Sequence, residues 1–554
     1  MTAFAPRAQS QLQFTAKPSS HVQTAAFLVA LILAGVILLS LYLYILKLNE
    51  GTFLYTMDDP YITLALSDQI SHGNYGINAG LHAAPASSIL YPFLLATAAG
   101  TPLHPYLPLI VNCLALFATM SIMWRFFIHL RLAEDTFGWV VQATAMLLLA
   151  LCLNLIGVVF CGAEHSLHIA ATAACIYGLA LFLDKGVMPA WLPAVIVIAP
   201  LLRYEGLPLS IGALLVLALR GRWRTAIGAF ALIVLFLGGF SAFLLSLKLP
   251  PLSSSILLKS NVVANGVSGA AMGFLISIFI NTLIMALHPA GLLLLIIGVA
   301  AAVRCLRELP ARPWRWTSQG LMALALVCLI GGHAAAGQFG WMDRYEDYAL
   351  LGTALMGIYL TQGIIRNVLS NRKIRLVACC ATAVALLAIC SRYIKATWLV
   401  PLEANNVYEQ HFQMHRFVNE FYRAPVAVND LGLVSYHNPN FVLDLGGLAS
   451  EDARLLRLSK ASADTYRDFI ANHGVHLAII YDEWFKGEIP ASWVKVASMD
   501  LSRERISPDQ KEVQFYATDA STATKLRPEL QSFSKILPPR VKLTIYNPAA
   551  NASR

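Results

Sequence analysis

Long apolar runs separated by short polar breaks fill the first 400 or so residues, and most of the positive charge sits in the breaks. Runs at 25–46, 106–128, 137–159, 165–183, 188–202, 206–219, 226–247, 289–304, 318–337, 347–365 and 374–394 predict about eleven transmembrane helices. The intervening cations are Arg125 and Arg131, Lys185, Arg220 to Arg224, Arg304 to Arg315, and Arg366 to Arg375. By the positive-inside rule all of them fall on the cytoplasmic side. Two further apolar pieces, 88–99 and 271–286, are expected not to cross, because counting either alone as a span inverts every later charge cluster. They read as interfacial or re-entrant helices on the outer face. The runs at 188–202 and 206–219 are short, so "LLRYEGLP" between them is expected within or just below the outer membrane surface.

Near residue 400 the pattern changes. The polar helix "NNVYEQHFQMHRFVNEFY" is followed by short apolar strands, "PVAVND", "FVLDL", "HLAIIY" and "VKLTIY", which predict a separate α/β domain of about 150 residues outside the membrane. The expected division is a cytoplasmic tail (1–24), a membrane module (25–398) whose first outer loop (47–105) is catalytic, and an extracytoplasmic α/β domain (399–554). The first run reads as a retained signal anchor, since no small-x-small cleavage site follows it.

Composition agrees: 57% of the 554 residues are hydrophobic, 13% are charged, and mean hydropathy is +0.62, which excludes an ordinary soluble protein. The net charge of +9 is spread over the cytoplasmic breaks, so it does not point to nucleic acid as a partner. All nine cysteines lie between Cys113 and Cys390, in or beside spans and without metal-ligand spacing, and read as packing residues.

The informative charges are those the positive-inside rule leaves over. The first outer loop, from Leu48 to Pro105, has no Lys or Arg but holds Glu50, Asp58, Asp59, Asp68 and three histidines, the makings of a cation-seeking or proton-accepting site. Lys248, Arg392 and Lys395 read as snorkelling from helix ends. Arg203, Lys259 and Arg344 do not, and ionisable groups at such depth need a partner or a wet cavity. The structural reading pairs Arg203 with Glu205 or Arg344 with Asp347. In "CGAEHSLHIA", Glu164 opens a span where the helix dipole favours a carboxylate. His165 and His168 share a helical face and form two thirds of a metal site with no third ligand in view. A divalent cation therefore stays open, and no cofactor is assigned. Asp59, directly before Pro60, reads as the N-cap of an amphipathic surface helix. Asp58 has no such role and is the candidate general base toward a hydroxyl.

These elements resemble, in order, those of membrane glycosyltransferases of the GT-C superfamily, in the branch of the mycobacterial cell-wall β-arabinofuranosyltransferase and related polyprenyl-phosphate-sugar transferases. "MDDPYITLALSDQISHGNYGINAG" and "ASSILYPFLLA" are similar to the first outer loop of that branch. "GAEHSL" resembles its G-x-E-x-x-L, "LLRYEGLPL" its Arg-Pro-Glu-Gly element with Tyr204 in place of proline, and "LPPLSSSILLKS" its lysine loop, with Lys259 at the lysine position. "DRYEDYALLG" is similar to its Arg-Tyr/Phe segment.

The resemblance implies transfer of a sugar, arabinofuranose or another pentose or hexose, from a polyprenyl phosphate to a cell-envelope glycan or lipid, with inversion. The setting it implies is the outer face of a bacterial cytoplasmic membrane, and the partners are the donor, the acceptor and membrane lipids. It implies Asp58 and Asp59 as catalytic carboxylates, and Lys259, Arg344 and Arg203 on the donor phosphate. Glu164, His165, Glu205 and Tyr61 then face sugar or acceptor hydroxyls. In the C-terminal domain Asp430, Tyr436, His437 and Asp444 are candidates to touch the acceptor, or serve as core and capping residues. The alternative is a transporter or flippase of a lipid-linked sugar, which should show inverted repeats; none is visible in the sequence. A sensor or scaffold would not need Arg203, Lys259 and Arg344 near the outer surface.

Overall fold

The computed structural model describes residues 20–260, 262–263, 271–309 and 315–547. Every apolar run expected to span is largely helical, with the runs at 137–159 and 374–394 each broken into two helices. Seven helices are long and apolar enough to cross a bilayer: His21–Leu48, His104–Leu130, His165–Lys185, Trp223–Ser246, Pro289–Glu308, Ser318–Ala336 and Asp347–Ser370. Shorter apolar helices complete the bundle, Thr136–Cys152, Leu192–Leu202, Leu207–Leu219 and Arg375–Ile389. The chain is a polytopic α-helical membrane protein carrying a C-terminal α/β domain.

The basic breaks converge on the bundle face away from that domain. There Arg220 donates to Ser318 Oγ at 3.1 Å, Ser318 to the Leu183 carbonyl at 3.0 Å, and Arg366 to the Leu130 carbonyl at 2.6 Å. Arg375 pairs with Asp135 at 2.6 Å on the same face. The opposite face, beneath the domain, is called the domain face below.

Two details differ from the hydropathy pattern. The run expected at 137–159 breaks at Asn154, which adopts a left-handed φ of +52° between helices Thr136–Cys152 and Leu155–Val159. A buried amide must be satisfied, and Asn154 is: it accepts from Thr397 at 2.9 Å and donates to the Met342 carbonyl at 3.0 Å. Helix Ala271–Leu287 is 17 residues long, yet its midpoint Asn281 donates to the Ala334 and Gly337 carbonyls at the domain-face end of helix Ser318–Ala336. Within 88–99 only Tyr91–Ala96 is helical, too short to cross.

The C-terminal domain is built on a six-stranded mixed sheet in the order β2-β1-β3-β5-β4-β6. The strands are β1 (Val426–Val428), β2 (Val442–Asp444), β3 (Leu477–Ile480), β4 (Val494–Asp500), β5 (Glu512–Ala517) and β6 (Lys542–Ile545). The first three run parallel, with Ala427 opposite Leu443 on one side and Ala478 on the other, while β5, β4 and β6 add antiparallel. The four strands read from the sequence are present, and β4 and β5 are additions.

One hydrophobic core joins this domain to the first loop of the bundle: Tyr55, Tyr61, Leu64 and Tyr91 pack with Phe417, Val428 and Phe515. Polar ties reinforce the joint. Asn78 donates to the Val442 carbonyl and accepts from its N–H, both at 2.9 Å, so that an amide side chain covers the free edge of β2. At Gly432 a Cβ would stand 2.2 Å from the Asp58 carbonyl oxygen and 2.7 Å from its carboxylate. Gly432→Ala is therefore expected to weaken docking of the domain by about 1–3 kcal/mol. Thermal unfolding and limited proteolysis of the full chain in detergent should show a lower Tm and faster cleavage between the bundle and the domain.

Candidate active site

The loop after the first span enters helix Asp59–Ser71 with Asp58 as the flanking residue and Pro60 in the first turn. Asp59 was expected to cap this helix, but Asp58 is the flanking residue, and it makes no side-chain cap. The two carboxylates point to different partners. Asp58 is 9% exposed and accepts from the backbone N–H groups of Gly432 (2.6 Å) and Leu433 (2.8 Å), 374 and 375 positions along the chain. Asp59 Oδ2 takes the Arg344 guanidinium at 2.8 Å, and its side chain is 37% exposed. The residue left over in the sequence thus ties the loop to the C-terminal domain, and the one explained as a cap holds Arg344.

The segment carrying Arg344 is strained. Trp341, Met342 and Asp343 all have positive φ, +46°, +66° and +50°, a single left-handed turn built from residues with side chains. Such a conformation costs roughly 1–2 kcal/mol per residue, so it needs ties from outside. Asn154 holds the Met342 carbonyl, Arg392 holds Asp343 at 2.7 Å, and the Gly340 N–H donates to Glu346 at 3.1 Å. Arg392, expected to snorkel, is one of these ties. The turn delivers Arg344, 2% exposed, with its guanidinium over the Tyr345 ring at 4.5 Å.

Glu164 and Arg203 come from neighbouring helix ends. Gly162, at φ +67°, lets the chain before helix His165–Lys185 pass against Tyr55 and Pro60, where a Cβ would sit 2.6 Å and 2.9 Å from their side chains. That passage puts Glu164 against Ser87 (2.9 Å) and Arg203 (2.5 Å), and Arg203 also grips Glu205 at 2.6 Å. Arg203 thus has the expected partner Glu205 and a second, distant one; Arg344 pairs with Asp59 and not with Asp347.

A cavity of about 430 Å³ gathers these groups: Asp59, Glu164, His165, Arg203, Glu205 and Arg344 line it, with Tyr345 and Ser87. Its other wall is apolar, from Ile256, Phe274 and Ile278. Lys259 ends helix Ser254–Lys259 beside Ser260, a lining residue, but its side chain lies outside the described residues. A second cavity of about 720 Å³ lies toward the C-terminal domain and is lined by Asp58, His411, Asp430, Trp484 and Asp509. Asp59 and Tyr345 border both. Tyr61 borders neither; it is buried beside Tyr55, whose N–H donates to its hydroxyl at 3.2 Å. His168 packs on Tyr348 with ring centroids 4.5 Å apart, and His165 lies against Tyr345. Among the described residues these two histidines do not meet a third metal ligand.

Sequence reading did not single out Tyr345, Ser87, Asn154, His411 or Trp484. Of the four candidates in the C-terminal domain, Asp430 lines the second cavity. Asp444 is 1% exposed and accepts from the Gly446 and Ala449 N–H groups as a turn-former, while Tyr436 and His437 stack on each other away from both cavities.

Residues 405–516 match a family described as a domain of unknown function (DUF8728). No curated protein matches the chain. Among solved structures, the chain is similar to the oligosaccharyltransferase of Archaeoglobus fulgidus in its apo form, at 11% identity over 86% of this chain and 73% of that one, with a TM-score of 0.45. The same enzyme in complex with Zn and sulfate aligns at 13% identity over 88% and 73%, with a TM-score of 0.41. The arabinofuranosyltransferase AftD from Mycobacteria aligns at 14% identity over 91% of this chain and 42% of that one, with a TM-score of 0.36.

Burial pushes the Asp58 carboxyl up to about 6, with Asp430 adding to the rise and His411 and the two backbone donors opposing it. Burial lowers the pKa of His411, but Asp58 and Asp430 outweigh it and leave the imidazole raised. Both shifts mean that the folded protein holds protons which the unfolded chain releases. The Asp58 contribution is full below its unfolded value of 3.8 and lost as pH rises to about 6; that of His411 is full below 6.5 and lost above it. Docking of the domain is thus expected to weaken by on the order of 1–2 kcal/mol between pH 5 and pH 8. Hydrogen exchange at the Gly432 and Leu433 amides reads this directly, and His411→Gln should flatten the part of the profile above pH 6.5.

Proposed function

We propose that the protein is a polyprenyl-phosphate-sugar-dependent glycosyltransferase of the GT-C type, passing a sugar to a glycan or lipid acceptor at the domain face, which is the extracytoplasmic side. The observation that carries this is the place of Asp59, a carboxylate at the junction of two cavities, ion-paired to Arg344. One cavity has guanidinium groups and an apolar wall, as a lipid phosphate requires. The other sets Asp58, His411, Asp430 and Asp509 beside the Trp484 indole, as suits an acceptor sugar.

In this reading the acceptor hydroxyl attacks the anomeric carbon from the side of the second cavity. The new C–O bond forms as the bond from that carbon to the phosphate oxygen breaks, and the electron pair leaves with the phosphate, so configuration inverts. The hydroxyl proton goes to a carboxylate. Asp59 suits that role better than Asp58, because both Asp58 oxygens already accept backbone N–H groups. Arg344, Arg203 and Lys259 neutralise the departing phosphate. Glu164 and Glu205 hold Arg203 and, with His165, face the sugar. The sugar is arabinofuranose or another pentose or hexose, and the membrane a bacterial cytoplasmic membrane.

The test uses the full chain in nanodiscs with a panel of polyprenyl-phosphate pentoses and hexoses and candidate glycan acceptors, read by mass spectrometry. Asp59→Asn is expected to lower kcat by about 10²–10⁴, and Arg344→Ala by about 10²–10³, each with the Tm little changed. Asp58→Asn should lower the Tm first. Loss of activity in Asp58→Asn at unchanged Tm, with Asp59→Asn fully active, reverses the two roles. Binding of every donor with turnover of none, together with movement of the lipid between leaflets, would favour the flippase reading.

A further inference from the structure

On the side of the first loop away from both cavities, three potential metal ligands meet at the joint with the C-terminal domain. Asp68 lies in the last turn of helix Asp59–Ser71, His104 opens the short helix His104–Tyr106, and His437 follows helix Gly432–Ser435. One ligand atom from each lies within 4.8 Å of the other two. Among the described residues this is the group of three with that spacing.

The hydrogen bonds around His104 fix which nitrogen carries the lone pair. Ser67 Oγ donates its one proton to the Leu64 carbonyl at 2.8 Å, so toward His104 Nε2, also at 2.8 Å, it must accept. Nε2 is therefore protonated, and Nδ1 is the acceptor. Nδ1 faces the Tyr436 hydroxyl at 3.1 Å, next to His437 in the chain. A buried imidazole whose N–H is held by a fixed hydroxyl is the arrangement metal-binding histidines have; His104 is 0% exposed, and an ion at Nδ1 would take the place of the Tyr436 proton. The backbone at His437 supports the same end. It takes a left-handed φ of +54°, unfavourable for a residue with a side chain, and its ring stacks on Tyr436 at 3.9 Å.

We propose that Asp68, His104 and His437 bind a zinc-class divalent ion that staples the first loop to the C-terminal domain. Two imidazoles and a carboxylate suit Zn²⁺, with water completing a tetrahedral shell. Bonds of about 2.0–2.1 Å place ligand atoms roughly 3.4 Å apart. Rotation of the Asp68 and exposed His437 side chains supplies that closure. His437 lies five residues after Gly432, the donor to Asp58, so the ion would brace the same joint that Asp58 holds. The proposal does not depend on the transfer reaction.

The experiment treats the purified full chain with chelator, then titrates Zn²⁺ and, as a spectroscopic probe, Co²⁺. The expected result is one ion per chain, visible Co²⁺ absorption of a tetrahedral N/O site, and a higher Tm with Zn²⁺. His437→Ala and Asp68→Asn alter side chains at the rim and should keep the metal-free Tm, while weakening binding at least tenfold and removing the Tm response. Failure of wild type to retain or respond to Zn²⁺ overturns the proposal, as does binding of equal strength in both variants.

Discussion

The site depends on the division of labour between two adjacent carboxylates. Asp58 reaches into the C-terminal domain and holds the Gly432 and Leu433 amides, while Asp59 reaches the other way and holds Arg344. Consecutive residues at the start of a helix point apart, so one short segment can tie the bundle to the domain and still present a charge to a cavity. The shared core behind them, with Tyr55, Tyr61 and Tyr91 against Phe417 and Phe515, sets the distance between the two attachments. Losing the Asp58 contact would leave two buried amides unpaired, a cost of about 1–3 kcal/mol each, and would move Asp59 with it.

A second constraint is the left-handed turn at 341–343. A strained segment persists only where its surroundings over-determine it. Here the ties come from far along the chain: Asn154 from a break in a transmembrane run, Thr397 holding Asn154, and Arg392 holding Asp343. The polar interruption at Asn154 and the strained turn before Arg344 therefore form one feature. The first supplies the hydrogen bond that the second needs, and the result is a guanidinium placed over Tyr345 and against Asp59.

Much of the fold was legible because hydropathy and charge report a membrane directly. The apolar runs became helices, seven of them long enough to cross a bilayer, and the basic breaks gathered on one face. The break at Asn154 was hidden because one amide hardly changes a window of leucines and valines. Strands β4 and β5 were missed for a related reason: "VKVASMD" and "EVQFYA" mix polar and apolar residues without clean alternation, and β4 carries a bulge between Lys495 and Ala497. In the site, the Arg203–Glu205 pair was legible because the residues are two apart. The Asp59–Arg344 pair, 285 positions apart, was not, and local context alone made Asp59 look like a cap. Loose charges marked the right region; their partners were set by tertiary structure.

The pairing also bears on the order of events proposed for transfer. Among the described side chains the first cavity sets three carboxylates, Asp59, Glu164 and Glu205, against two guanidiniums, so its cations are already engaged by acids. A phosphate entering this space must compete for those cations, since an unpaired anion in a poorly solvated cavity costs several kcal/mol. Arg203 has two carboxylates and keeps one if the other yields. Among the described residues Arg344 has one acidic partner, Asp59, so a phosphate that takes Arg344 competes with that carboxylate. A carboxylate that shares its cation with an incoming anion in a low-dielectric pocket becomes a stronger base. Donor binding and activation of the acceptor hydroxyl would then be coupled, because phosphate and Asp59 share the Arg344 guanidinium.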